Sequence, residues 1–298
     1  MATHVERLAQ GLMFPEGPTI GPDGALYVTE IAGQRISKIN EDGTISTFAD
    51  TGGGPNGAAF NPQGELVVAN NGGRWPTDVP STSQAPEPEF AQGRMQTISS
   101  EGVVVSELSE IDGVPLNSPN DLCFDSHGGY YFTDPEWSGL VGGDRDGGPV
   151  CYVNAEGKAS RVASNIGFPN GLGVRADGKV LVVCESLTGM LLSYRIEEPG
   201  ILSGTAKPNG MIGRRSVPDG FCFDASGQII VAGHGSSNLF VLDGNDGRPV
   251  QIIELPDKGP TNCCFGGKDF RTLFVTSSDH GYVYAIEWPI EGMPLLHS

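Results

Sequence analysis

Six residues stand directly behind a proline at the same place in a phrase that recurs along the chain: Glu16, Asn56, Asn120, Asn170, Asp219 and Thr261. Two carboxylates, three amides and a hydroxyl make a donor set of oxygen without sulfur or imidazole. Such donors suit a hard divalent cation: two carboxylates bring a dipositive ion near neutrality, and amide oxygens fill part of its shell. Asn and Asp after proline are also ordinary turn residues, so no single position decides. Glu is a poor turn former, which makes Glu16 the most telling member. Polarity at all six equivalent positions points to a cation-holding ring.

A ring needs a scaffold that brings six distant positions to one place, and the repeated phrase supplies it. The phrase reads PEGPTIGPDGALYVT from Pro15, PNGAAFNPQGELVVA from Pro55, PNDLCFDSHGGYYFT from Pro119, PNGLGVRADGKVLVV from Pro169 and PDGFCFDASGQIIVA from Pro218. The sixth copy, PTNCCFGGKDFRTLFVT from Pro260, carries a two-residue insertion at its turn. Each copy is a β-hairpin: a short apolar strand, a turn such as PDG or PQG, and a returning β-branched or aromatic strand. Two further candidate strands follow each hairpin, as in QRISKIN and TISTFAD. Successive copies start 40, 64, 50, 49 and 42 residues apart, which brackets the ~40–50 residues of propeller blades. The expectation is an all-β, six-bladed β-propeller with four antiparallel strands per blade, forming a single domain over residues 1–298. Only about three strands follow Pro260, so the N-terminal THVERLA is expected to supply the fourth and close the ring. An open solenoid would need polar capping repeats instead.

In a propeller the first strand of each blade lines the axis, which puts the six post-proline residues at one channel mouth. The returning strands end at the same face, at Glu30, Asn70, Asp134, Glu185, His234 and Ser277. Asn56 of the inner ring and Asp134, Glu185 and His234 of this outer set are expected near a bound small molecule, with His234 able to shuttle protons. The insertion between Asn70 and Met95, rich in Pro, Ser and Gly, leaves the same face and is expected to carry Arg74 and Trp75 toward the site.

Composition narrows the partners. Thirty-six acidic against 18 basic residues give a net charge of −18, and no basic stripe could neutralise phosphates, so nucleic acid is excluded. The N-terminus has no apolar signal core, and no stretch approaches the ~20 apolar residues that span a bilayer. The six cysteines lie mostly in apolar runs without a CxxC motif and read as reduced thiols. Cytoplasmic location and a monomeric state are the corresponding expectations.

Five segments together carry a resemblance: PEGP at Pro15, NSPNDLCFDSHGGYYFTDP at Asn117–Pro135, FPNGLGV at Phe168, PDGFCFD at Pro218 and PTNCCFGGKDFRTLFVTS at Pro260. Over essentially its whole length the chain resembles the gluconolactonase, SMP-30 (regucalcin) and luciferin-regenerating-enzyme family, with SPND and YFTDP most similar to the bacterial gluconolactonase branch. The resemblance implies a metal-dependent hydrolase opening a lactone, such as a sugar lactone. It implies Glu16, Asn170 and Asp219 as metal ligands, with Asn120 a fourth ligand or a substrate-orienting amide. Asp219 would also be the base or nucleophile. The implied cofactor is one divalent ion, Ca2+ ahead of Zn2+, Mn2+, Mg2+ or Fe2+. The regucalcin branch has an Arg where this chain has Ser118, so the clearest sugar-acid contact is missing. A phosphotriesterase-like hydrolase on the same residues and a non-enzymatic ligand-binding propeller are the competing readings.

Overall fold

A computed structural model describes residues 4–74, 87–137, 147–213 and 216–294. The elements are almost all strands, with one 3-10 turn at Pro88–Phe90 among the described residues. No helix among them is long and apolar enough to cross a membrane.

Six antiparallel sheets follow one another along the chain. Blade one runs Pro15–Ile20, Leu26–Glu30, Arg35–Ile39 and Ile45–Asp50 from its innermost strand outward. Blade two runs Pro55–Phe60, Leu66–Asn70, Arg94–Ile98 and Val104–Leu108, and blade three Leu122–Phe124, Tyr130–Thr133, Gly148–Val153 and Ala159–Ile166. Blade five runs Val217–Phe223, Ile229–His234, Asn238–Leu242 and Pro249–Glu254. The long spacing after Pro55 is taken up in part by an extra hairpin, Glu110–Ile111 with Val114–Pro115, between blades two and three.

Blade four departs from four strands. After Pro169–Val174 and Val180–Glu185, its third strand Met190–Glu198 is nine residues long and meets two partners. Its far end pairs with Ile201–Leu202 across a turn at Gly200 (φ 75°), and its near end pairs with Lys207–Met211. A third strand longer than its neighbours leaves backbone groups to satisfy, and the second short strand satisfies them.

Closure follows the sequence expectation. Blade six contains Pro260–Gly266, Thr272–Ser277 and Tyr282–Glu287, and its outermost strand is the N-terminal Val5–Gln10, with Val5 opposite Ile286 and Gln10 opposite Tyr282. The two ends of the ring are thus held by a hydrogen-bonded ladder instead of two free edges. The six innermost strands contact one another in cyclic order. Between blades, alternate side chains interdigitate into wedges of core. One wedge joins Val182, Leu191, Phe221, Phe223 and Ile229 across blades four and five. Another joins Ile230, Leu239, Cys263, Leu273 and Tyr284 across blades five and six. Second strands such as Leu66–Asn70 are buried throughout, since both of their faces meet a neighbouring blade.

Candidate metal and active site

The innermost strands do not run in regular register to the channel mouth. Pairing slips between Glu16 and Thr19, Pro55 and Ala58, Pro169 and Leu172, Pro218 and Phe221, and Pro260 and Asn262. Each slip is a β-bulge beside a post-proline residue. A bulge re-aims the side chain that a regular pleat would send into the wedge between blades. Hydroxyls and amides then stitch the blades at this level. Thr29 Oγ1 donates to the Asn56 carbonyl (2.5 Å), Gly57 N to the Asn120 carbonyl (2.6 Å) and Thr133 Oγ1 to the Asn170 carbonyl (2.9 Å). Ser186 Oγ donates to the Pro218 carbonyl and Thr261 Oγ1 to the Pro15 carbonyl, both at 2.8 Å. Thr261 therefore spends its hydroxyl on the scaffold, while the other five ring residues keep their side chains for the mouth.

Glu16, Asn170 and Asp219 come together as the repeat positions require, and all three are buried, with Asn56 and Asn120 buried on the intervening blades. Asn170 hydrogen-bonds the Asp219 carboxylate, and the Asp219 and Glu16 charges act on each other. Glu16 Oε2 accepts from Gly17 N at 2.9 Å. Burial, and then the neighbouring Asp121 charge, push the Glu16 carboxyl up to about 8. Burial and the Glu16 charge hold Asp219 well above the usual carboxylate range.

Asp121 is the residue the repeat analysis passed over. It and Asn262 follow the ring residue of their blades, where the other four blades carry Gly17, Gly57, Gly171 and Gly220. Asn262 Nδ2 donates to Asp121 Oδ2 at 3.2 Å across the axis, and Asn262 also hydrogen-bonds Glu16. The glycines make room for them. A Cβ on Gly57 would sit 2.4 Å from Asp121 Oδ1, and one on Gly220 1.9 Å from the Asn262 Cγ. The signal in the sequence was the third letter of the phrase, Gly four times and polar twice. Burial raises Asp121 to about 7.

Three buried carboxylates at one mouth cost several kcal/mol unless a cation or protons compensate them. Asn56 adds an observation of another kind: its buried Oδ1 has no hydrogen-bond partner. An acceptor of that sort, beside buried carboxylates and amide oxygens, fits a hard divalent cation with its water. Glu16, Asn120, Asn170 and Asp219 are the residues that would hold it.

The outer set does different work. Asp134 accepts from Asn117 N and Ser118 N, at 2.9 and 2.8 Å, and burial raises it to about 6. Glu185 accepts from Gly167 N and Thr188 Oγ1. Glu30 pairs with Arg35 at 2.8 Å and Asn70 fastens Gly54 N and Gly72 N. These side chains fix the loops that arrive at the mouth. His234 is the outer residue that approaches the inner ring, with Nδ1 3.9 Å from Asp219 Oδ2. Arg74 donates from Nη1 to the Asn71 and Asn117 carbonyls (2.9 and 2.5 Å), tying blade two to the loop before Asn120. Trp75 lies outside the described residues. Off the axis, Asp257, Asp279 and His280 also gather, with Asp257 accepting from Ser277 Oγ at 2.6 Å.

Backbone strain marks the same mouth. Phe14 and Phe168, each immediately before a ring proline, both have φ of 56°. That left-handed conformation is an outlier for a bulky residue and persists only where the surroundings over-determine it. The Phe14 ring lies 6.4 Å from His234 and the Phe168 ring 5.8 Å from Trp137. No pattern in the phrase announced this.

With that geometry established, the chain can be set beside known proteins. It is 27% identical to a gluconolactonase of Zymomonas mobilis over 93% of this chain and 80% of that one. It is 32% identical to a 6-deoxy-6-sulfogluconolactonase of Pseudomonas putida, over 50% of this chain and 52% of that one. To a diisopropyl-fluorophosphatase of Loligo vulgaris it is 29% identical, over 61% of this chain and 60% of that one. A gluconolactonase structure from Xanthomonas campestris shares the fold with a TM-score of 0.78 at 23% identity, covering 96% of this chain and 90% of that one. The SMP-30/Gluconolactonase/LRE-like region matches residues 14–279, from the strained Phe14 to the loop behind the last ring-bearing hairpin, and the chain belongs to that family.

Proposed function

We propose that this chain hydrolyses a lactone, with one divalent cation, Ca2+ by preference, held by Glu16, Asn120, Asn170 and Asp219. The observation that carries the reading is the burial of Glu16, Asp121 and Asp219 on the innermost strands, with the charges of Glu16 and Asp121 acting on Asp219 and that of Asp121 on Glu16. Relatives named gluconolactonase and 6-deoxy-6-sulfogluconolactonase supply the substrate class, a sugar lactone. When bound, the cation polarises the ester carbonyl and stabilises charge on its oxygen.

The chain's own groups do the rest. Asp219 takes the proton of the attacking water, and Asn170 holds its carboxylate in place through their hydrogen bond. Asn120, fixed through its backbone to Thr133 (2.9 Å) and Gly57, orients the carbonyl. His234, 3.9 Å from Asp219, relays the proton outward. Ser118, buried, donates its hydroxyl proton to the Pro135 carbonyl at 2.5 Å and so does not supply the cationic contact that an Arg at that place would.

A second reading, hydrolysis at phosphorus, is favoured by the likeness to the fluorophosphatase. One panel separates them: five- and six-membered sugar lactones, dihydrocoumarin and a phosphotriester, each with chelator and with added Ca2+, Zn2+, Mn2+ or Mg2+. Lactone opening that is lost on chelation and restored by one ion is the expected result. Faster turnover of the phosphorus ester would favour the second reading. Metal binding with no turnover of any substrate would leave a binding module.

A further inference from the structure

Further along the innermost strands from Glu16 lies a cavity of about 180 Å3, bordered by Asp121 and Asn262 and lined mostly by apolar side chains including Phe124, Phe221, Phe265 and Met293. Four of the six cysteines, Cys123, Cys222, Cys263 and Cys264, also line it. The sequence reading placed no cysteine on the ring itself, and that is so; the thiols lie just beyond, on the same innermost strands. Neighbours in sequence, Cys263 and Cys264 part company. Cys263 enters the wedge between blades five and six, and Cys264 joins Ile20, Val28 and Phe274 on the other side.

Cys222 faces Cys263 across the seam between blades five and six, with the sulfurs 3.4 Å apart. Both belong to one cluster, and both are free thiols. Cys222 is half-buried, so part of its surface faces the cavity, whereas Cys263 is almost fully covered. The pair therefore has one residue partly exposed at the cavity wall and a second, more deeply covered, in contact with it. A disulfide needs sulfurs ~2.05 Å apart on β-carbons ~3.5–4.5 Å apart, a closure of little more than an ångström from the present contact. No other function claims these thiols, because the proposed hydrolysis uses oxygen donors alone.

We infer that Cys222 and Cys263 form an oxidisable dithiol, a modification site that a hydroperoxide converts to a disulfide clasping blades five and six inside the axial channel. The Cys222 sulfur attacks one oxygen of the peroxide, the O–O bond breaks, and the leaving oxygen departs with a proton as alcohol or water. The resulting sulfenic acid is displaced by Cys263, which loses its own proton while the S–OH oxygen leaves as water. Two thiols and one hydroperoxide thus yield one disulfide, one alcohol (water when the oxidant is hydrogen peroxide) and one water. Two electrons pass from sulfur to the peroxide. A cavity of this size admits several water-sized molecules, so hydrogen peroxide enters where a tripeptide disulfide is too large. Burial keeps the Cys222 thiol well above its ordinary range, so the reaction is slow unless peroxide is in excess.

The test uses the full-length, metal-loaded protein, treated with excess hydrogen peroxide or with oxidised glutathione, quenched by alkylation and mapped by mass spectrometry without reduction. Six alkylatable thiols should fall to four under peroxide, with the intact mass lower by two hydrogens and fragmentation joining Cys222 to Cys263. Oxidised glutathione should leave six. C222S should keep all five of its thiols under the same peroxide; where that variant does not fold, the wild-type map alone decides. Retention of six thiols, a link between any other pair, a glutathione adduct on Cys222, or oxygen addition without a link would each overturn the proposal.

Discussion

At one mouth of the axis the innermost strands carry Glu16, Asp121 and Asp219; a few residues further along the same strands they carry Ile20, Phe124, Cys222 and Phe223. Both ends bury titratable groups and push them upward, the carboxyls at one end and the Cys222, Cys264 and Cys123 thiols at the other. The consequences differ. A thiol held neutral is an ordinary small hydrophobe, whereas a carboxylate held in that surrounding demands a cation or a proton. Register separates the two ends. Past the bulge the strands pair without a slip and alternate cleanly into the wedges, while at the bulge the alternation fails and polar side chains reach the axis. The proposed chemistry lies where the pleat breaks, and the apolar packing where it holds.

One pair of substitutions would break that comparison. Asp219→Asn keeps the volume and removes the carboxylate, so kcat/KM on the responsive lactone should fall on the order of 10^3-fold or more with the fold intact by circular dichroism. Retained turnover would remove Asp219 from the chemistry. At the other end, Phe265→Ala empties a buried ring that packs on Trp288 (6.0 Å) and Phe270 (6.5 Å). Denaturant unfolding should show a loss of about 3–5 kcal/mol, while turnover at low temperature changes little. A variant that lost activity in proportion to stability would show that the two ends are not separable.

The same distinction explains what could be read from sequence. Six hairpin phrases reported six blades because each phrase is a local event: two apolar runs and a turn with Gly at fixed offsets. Closure by Val5–Gln10 was legible by counting strands after Pro260. Glu16, Asn170 and Asp219 could be placed in one ring because they occupy one repeat position, and the family resemblance set them apart from its other members. Asp121 and Asn262 were missed because their meaning depends on a distance across the ring, between residues 141 apart in sequence. The loop-fastening work of Asp134 and Glu185 was hidden for the same reason, since a strand end does not say which backbone N–H will arrive beside it. The left-handed Phe14 and Phe168 precede prolines in a phrase that looks extended, and only the assembled mouth imposes their φ.

Removing the metal sharpens the comparison from the electrostatic side. Glu16 and Asp121 have native values of about 8 and about 7, against ~4 in an unfolded chain. The metal-free folded state therefore binds more protons than the unfolded state between roughly pH 4 and 8, and its stability declines as pH rises through that window. Chelated protein should unfold more readily at pH 8 than at pH 5, by on the order of a few kcal/mol. Saturating Ca2+ should flatten the difference, because a bound cation takes the place of the protons. A chelated protein equally stable at both values would mean that the three carboxyls are not enclosed together.

The smallest effect concerns the stitching that carries the bulges. Thr133, fully buried, donates to the Asn170 carbonyl at 2.9 Å and accepts from Asp121 N at 3.1 Å. Thr133→Val keeps the shape and removes both bonds, leaving a buried carbonyl and a buried N–H short of a partner, so about 1–2 kcal/mol of stability should go. The informative quantity is how that loss divides between metal-free and metal-loaded protein. Should Thr133 merely fasten blade three to blade four, both forms lose equally and cation affinity, measured calorimetrically, is unchanged. Should it hold Asp121 and Asn170 at their separation on neighbouring blades, the loaded form loses more and affinity drops several-fold. The second outcome is expected, because the hydroxyl joins the backbone of a proposed ligand to that of the carboxylate lying across the axis from Asn262.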